Sequence, residues 1–312
     1  MNELDLIQLL TRALPANESV VVGPGDDCAV LDLGIPGRWL LFKTDAVVEG
    51  VHFTRADPPE KVGHKAIGRC LSDIAAMGGT PTAGLVTLGL PKGFESTFIE
   101  TIYEGMNKLA GRSKLAIVGG ETTTNAERLL ISIAMIGTVA RDKCLRRSGA
   151  KPGDAIFVSG ELGGSRAGRH LEFEPRLEEA RWLAEHFAVH SMIDLSDGLA
   201  SDLRHLMRAG KVGAELLSEA IPISRTARLQ ARTESSHKPP LLAALTDGED
   251  FELLFTVASR QAVPLLDSWK KQFSGLRLTC IGKITAKPGL RIRDKRGIKS
   301  FTGHGYVHFQ EP

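Results

Sequence analysis

Apolar residues recur along the chain in two rhythms, one of three to four positions and one of two. Leu6, Leu9, Leu10 and Ala13 fall on one side of residues 3–14, which predicts a short amphipathic helix ended by Pro15. Val62, Ala66, Ile67, Cys70, Leu71 and Ile74 keep helical spacing and predict a longer helix over 59–78. A third helix is expected over 95–111, closed by Gly111. Val20–Val22 and Trp39–Phe42 read as strands, the second stopping at polar Thr44 and Asp45. Residues 82–90 and 129–139 are rich in apolar and β-branched residues and also read as strands.

The segment RRSGAKPGD (146–154) is polar and turn-rich, and it predicts a boundary between domains 1–145 and 146–312. Beyond it the pattern restarts with a strand at 155–159, a small-residue loop ELGGSRAG, and a helix through about residue 188. A helix following MIDLSDGLASDL is expected to reach about residue 209, and GEDFELLFTV reads as a turn and a strand. Residues 230–240 have loop composition, and the basic run Arg291 to Lys299 reads as a solvated strand and turn.

The chain has 312 residues, 42% hydrophobic and 24% charged, so a full core is expected. Only 5% are aromatic while 33 are glycine, which favours an α/β protein rich in turns over an aromatic-packed sandwich. A net charge of +2 is too small to imply a nucleic-acid partner or an anionic membrane surface. Cys28, Cys70, Cys144 and Cys280 are scattered and form no CxxC, so neither a disulfide framework nor a zinc site is expected. The acidic start MNELDLIQLL is unlike a signal peptide, and no apolar run approaches membrane-spanning length. These features predict a cytoplasmic protein.

The positions of the carboxylates carry the chemistry. Asp26, Asp27, Asp45, Glu121, Asp194, Asp197, Glu249 and Asp250 stand where apolar segments meet turns, and Asp73 lies in LSDIAAMGG. Acids converging from such positions repel one another. A hard cation with oxygen ligands relieves that repulsion, and Mg²⁺ takes one or two carboxylates together with substrate phosphates. Any one of these acids alone reads more readily as a turn or cap residue; the set as a whole predicts metal-bridged phosphates. No GxxxxGK[ST] or GxGxxG occurs, since Gly210 and Gly282 precede lysines followed by Val and Ile. Phosphates must then be held by metals, loop amides and scattered basic groups.

The segments GDDCAV (25–30), TDAVVEGVHF (44–53), LSDIAAMGG (71–79), GGETT (119–123), RSGAKPGD (147–154), MIDLSDGLASDL (192–203), GEDFELLF (248–255) and GYVHF (305–309) together resemble the thiamine-monophosphate kinase family over essentially the whole chain. TDAVVEGVHF with IDLSDGLASDL separates it from the related aminoimidazole ribonucleotide synthetases, selenophosphate synthetases and hydrogenase-maturation proteins. The resemblance implies a two-domain α/β (α+β) fold of the aminoimidazole ribonucleotide synthetase-like kind. It further implies a homodimer formed by the N-terminal domains across a β-barrel-like interface. The implied reaction is ATP- and Mg²⁺-dependent phosphorylation of thiamine monophosphate to the diphosphate, the final step of thiamine diphosphate biosynthesis, with several Mg²⁺ ions. By position, Asp27, Thr44, Asp45, Asp73, Asp194 and Asp197 match the metal sites of the family, and Glu121 takes the place of its usual Asp. Tyr103, Gly120, Arg147 and Ser196 match positions that contact ATP, and Glu121 falls among them. His52, Glu249 and Tyr306 match positions that contact the thiamine phosphate. Val307 replaces an Asp of the closing motif.

The acceptor phosphate is already ionised near neutrality, so no general base is expected. Two other readings stay open: a nucleotide- or thiamine-phosphate-binding homologue without transfer activity, motivated by Glu121, and a related phosphotransferase with another acceptor. Three bland readings accompany these. Lys65, Arg69 and Asp73 could form an ion-pair ladder along one helix. His186 and His190 read as an ordinary helix surface, and ELGGSRAG is as readily a helix-packing turn as a phosphate loop.

Overall fold

The computed structural model describes residues 3–233 and 238–306. The N-terminal half contains α1 (Glu3–Thr11), β1 (Val20–Val22), β2 (Ala29–Leu31), β3 (Arg38–Val48), α2 (Pro59–Ala76), β4 (Thr80–Leu90), α3 (Ser96–Arg112), β5 (Ala116–Thr124) and β6 (Leu130–Ala140). Its strands form one sheet in the order β1-β2-β3-β6-β4-β5, antiparallel throughout except for the β4–β5 pair. The C-terminal half contains β7 (Ala155–Ser159), α4 (Leu177–His186), β8 (Val189–Asp194), α5 (Leu199–Gly210), β9 (Gly213–Leu217), α6 (Arg225–Thr233), α7 (Pro240–Thr246), β10 (Leu253–Val257), α8 (Ala262–Gln272), β11 (Leu278–Thr285), β12 (Gly289–Asp294) and β13 (Gly297–Ser300). These strands order as β13-β12-β9-β11-β7-β10-β8, with β9 and β12 the one parallel pair.

Strand alternation gives the first sheet two unlike faces. Leu41, Val47, Ile131, Ile133, Met135, Val86 and Leu88 are buried on the face that receives α2 and α3. Register places Phe42 opposite Ile136 and Leu85 opposite Ala134 on the other face, where Phe42 and Leu85 stay exposed. Helix α2 starts with Pro59 at a position that needs no N–H donor. It packs on β3 and β6, on α3, and on α4 and β8 of the second half, so both halves share buried side chains around it. Gly63 and Gly105 allow this close approach: a Cβ on Gly105 would lie 1.8 Å from the Glu60 carbonyl oxygen, and one on Gly63 would lie 1.9 Å from that of Ile102.

Several expectations change. Strand β3 continues to Val48 instead of stopping at Thr44, because Lys43 and Asp45 alternate onto the α2 face and find charged partners there. Strand β5 runs through GGETT, which has no apolar alternation to announce it. The helix expected to reach 188 is α4, preceded by two short 3₁₀ turns at Ser165–Ala167 and Arg169–Leu171. The segment 230–240 is helical as far as Thr233. His186 ends α4 while His190 lies in β8 and bonds Asp154, so the two do not share a helix face. Val307 and His308 lie outside the described residues.

Candidate functional site

Three carboxylates from distant parts of the chain meet where β8 ends against α2. Asp27 comes from the β1–β2 turn, Asp73 from the last turns of α2, and Asp194 from the end of β8. Each offers an oxygen within 4.8 Å of the others, and all three are buried. Ser72 donates to Asp194 at 2.6 Å. Asp27 Oδ2 is buried with no hydrogen-bond partner. A buried, orphaned carboxylate oxygen is costly unless something cationic comes to it, and oxygens crowded this closely suit a hard divalent ion. The donor set thus fits Mg²⁺.

Basic side chains stand at the rim of this cluster. Lys43 reaches Asp73 at 2.8 Å, and Arg147 reaches Asp27 at 2.7 Å. The Arg147 amide also donates to Asp26. Burial, then the charge of Asp27, pushes Asp26 up to about 6. Burial raises Asp73 strongly, with Lys43 opposing, and burial with the Asp27 charge raises Asp194. Burial would lower Lys43, but the charges of Asp73 and Asp45 outweigh it and hold the ammonium above its ordinary value.

Asp45 sits beside the cluster, held by Arg69 through two bonds of 2.8 and 3.0 Å. Burial opposes its ionisation, but Arg69 and Lys43 prevail and lower it. The charges of α2 therefore pair across the fold, not along the helix: Lys65 with Glu249, Arg69 with Asp45, Asp73 with Lys43.

Glu249 marks a second centre. Its backbone is left-handed, with φ 54°, and its amide donates to the Ser196 carbonyl at 2.7 Å. Lys65 approaches its carboxylate at 2.6 Å and also reaches the His52 carbonyl and His170 Nδ1. Burial lowers Lys65 to about 8, with Glu249 partly offsetting it. Burial, reinforced by Arg69 and Lys65, lowers His52 to about 4. His170 falls to about 4 through burial and Lys65. The His52 Nδ1 accepts from the Val48 amide at 3.1 Å. Arg166 lies 5.4 Å from the centre of the Tyr306 ring, and the Tyr306 amide donates to the Asp197 carbonyl. That last bond links this centre to β8 and α5.

The sequence-derived candidates thus divide. Asp27, Asp73 and Asp194 converge, with Asp45 and Arg147 alongside. Asp197 belongs to a neighbouring group with Asp202 and His205, whose ligand atoms also lie within 4.8 Å of one another. Asp202 caps the turn by accepting from the Asp197 and Gly198 amides. Thr44 and Glu121 lie on the open face of the first sheet: Thr44 is opposite Ala134, and Glu121 is opposite Thr87, which faces outward with Leu85. Glu121 is exposed and accepts from the Thr122 amide. Gly120 sits so close to β4 that a Cβ would meet the Val86 carbonyl at 1.8 Å. Tyr103 is half-buried on α3. Sequence reasoning paired Lys65 and Arg69 with Asp73 along the helix instead of with Glu249 and Asp45, and it passed over Lys43, Arg166 and His170 as partners of the acids. The signal available was that three of these cations lie inside predicted core segments, where a lone charge is expensive.

The sequence model described as AIR synthase related protein, N-terminal domain, matches residues 25–139, and that of the C-terminal domain matches residues 132–295. A thiamine-monophosphate kinase of Rhodopirellula baltica is 40% identical over 308 residues, covering 96% of this chain and 93% of the relative. One of Bacillus subtilis is 34% identical over 337 residues, covering 99% and 100%. Among solved structures, AaThiL complexed with AMPPCP and TMP superimposes with a TM-score of 0.84 at 32% identity, over 99% of this chain and 97% of that one. The chain belongs to the thiamine-monophosphate kinase family of the AIR synthase related proteins.

Proposed function

We propose that this chain transfers the γ-phosphoryl group of ATP to the phosphate of thiamine monophosphate, giving ADP and thiamine diphosphate. The observation that carries the reading is the meeting of Asp27, Asp73 and Asp194 around the orphaned Asp27 oxygen, beside a second centre at Glu249. The named relatives and the complex with AMPPCP and TMP support it. Asp27, Asp73 and Asp194, with Asp45, would hold Mg²⁺, and more than one ion is expected from four carboxylates. Bound there, Mg²⁺ would neutralise the phosphates and the charge that develops during in-line transfer. Arg147 adds a fixed positive charge next to Asp27 for the nucleotide phosphates. Tyr103, Gly120, Glu121 and Ser196 are assigned to the nucleotide by position, and Thr44 and Asp197 to metal. Thr44 and Glu121 can serve there only if ligand reaches the open face of the sheet. Glu249 offers a carboxylate to the cationic thiazolium, Tyr306 a ring face, and neutral His52 a hydrogen bond. No side chain need remove a proton, because the acceptor oxygen is already ionised.

Residues 1–145 are assigned to a nucleotide- and metal-binding domain, and 146–312 to a domain that closes the site. Pairing of two copies through the open face of the first sheet is also proposed, because that face exposes Phe42 and Leu85. Among the described residues no helix is long and apolar enough to cross a membrane, and Cys28, Cys70, Cys144 and Cys280 are all free thiols. Free thiols suit the reducing cytoplasm to which we assign the chain. The test is ADP release with ATP, Mg²⁺ and thiamine monophosphate. ATP binding without ADP release would favour the non-transferring reading, and turnover only with a different phosphorylated acceptor would favour the third.

A further inference from the structure

The Glu249 carboxylate is crowded by positive charge before any ligand arrives. Lys65 lies 2.6 Å away, Arg166 3.4 Å and Arg69 3.9 Å. Lys65 is fully buried and engaged by three partners, and Arg69 is tied to Asp45 by two bonds. Arg166 is different. Its side chain is 51% exposed, and its contact with Glu249 is to Oε2, a buried oxygen that has no hydrogen bond from it or from any other group among the described residues. The same guanidinium lies over the Tyr306 ring at 5.4 Å. The chain delivers it there from a short 3₁₀ turn between Gly164 and Gly168, both left-handed, with the neighbouring Ser165 hydroxyl bonded to the Glu249 carbonyl.

Glu249 and Tyr306 are the two groups assigned above to the cationic ring of the acceptor, so the inference rests on that reading. A fourth cation cannot join Lys65, Arg69 and Arg166 around one carboxylate without strong repulsion. Of the three, only Arg166 can leave for water at little cost. We propose that Arg166 is a stand-in cation: it occupies the place of the acceptor's positively charged ring against Glu249 and Tyr306, and the incoming ring displaces it. Arg166 is then a specificity-determining residue. It keeps the carboxylate compensated in the empty site, and it selects for ligands that bring a replacement positive charge.

The probe is thiamine, which carries the cationic ring without a phosphate. Its affinity is measured by calorimetric titration into wild type, R166M and R166K, with ATP titrated into the same samples to report an intact fold. An exposed ion pair and a cation over a ring together correspond to a factor of about five. Thiamine should therefore bind R166M about five-fold more tightly than wild type, with ATP affinity unchanged and R166K in between. Equal or weaker thiamine binding to R166M with ATP binding intact overturns the proposal. If R166M loses ATP binding as well, R166K decides: tighter thiamine binding supports the proposal, and equal or weaker binding overturns it. Wild type that turns over thiamine monophosphate while R166M shows no tightening refutes the stand-in role alone. Wild type that yields no ADP refutes the functional reading beneath it.

Discussion

Replacing Asp194 by Asn removes one charge from three carboxylates whose oxygens lie within 4.8 Å of one another. Coulomb's law at an effective dielectric of about 20 gives ~3.5 kcal/mol for each such pair of full charges. Lys43 at 2.8 Å from Asp73 and Arg147 at 2.7 Å from Asp27 offset part of that repulsion, and partial protonation of the raised carboxyls offsets more. A net relief of roughly 1–3 kcal/mol remains. The Ser72 hydroxyl can still donate to the amide oxygen, so the local bond survives. For a chain of this size each kcal/mol corresponds to about 2 °C, so metal-free D194N should melt about 2–6 °C above wild type. With Mg²⁺ at tenfold its Kd, wild type should gain about 1.4 kcal/mol, and D194N should gain clearly less while losing most of its turnover. The assay is a pair of thermal melts, in chelator and in Mg²⁺, with ADP release measured alongside. A metal-free D194N that melts below wild type, or one that Mg²⁺ stabilises as much as wild type, would refute the reasoning.

Lys65 gives a pH prediction with the same sign for affinity and stability. Its folded value of about 8 lies below the unfolded 10.5. The unfolded chain therefore binds the extra proton between these values, and this group's contribution to stability rises with pH across that window. The KM for thiamine monophosphate should fall above about pH 8, as loss of the Lys65 charge frees Glu249 to attract the cationic ring, and the limb should be absent in K65M. K65M should also be destabilised by about 3 kcal/mol, since it strands a buried carboxylate; urea unfolding checks this. Gly105→Ala should cost about 3 kcal/mol, because its Cβ cannot fit against the Glu60 carbonyl and α2 must move from α3. Ring-nitrogen NMR should find His52 and His170 neutral from pH 5.5 to 8, both having fallen to about 4.

Much of the frame could be read from periodicity, because α2, β4, α3, β6 and β7 each carry apolar residues at their own spacing. Strand β5 could not, since GGETT offers no alternation and its register depends on Gly120 fitting under the Val86 carbonyl. The end of β3 was hidden for a related reason: Lys43 and Asp45 look like a strand stop until Asp73 and Arg69 are placed opposite them. The acids were legible as a set, because so many carboxylates at segment ends require a common cause. Their pairing with Lys43, Arg69 and Arg147 was not, because it joins residues 24 to 120 positions apart. Local sequence also cannot reveal that Thr44 and Glu121 share the outward face of a sheet whose inward face holds Asp45.

That outward face has a consequence for how variants will behave. The strand bearing Gly120 and Glu121 forms one margin of the sheet, and the hydrophobic skin of Phe42 and Leu85 lies on the same side. If a second copy roofs this skin, nucleotide retention becomes a collective property of two molecules. A polar substitution at Leu85, which carries no group able to hold a phosphate, would then masquerade as a nucleotide-site lesion, and its severity would fade as the protein is concentrated.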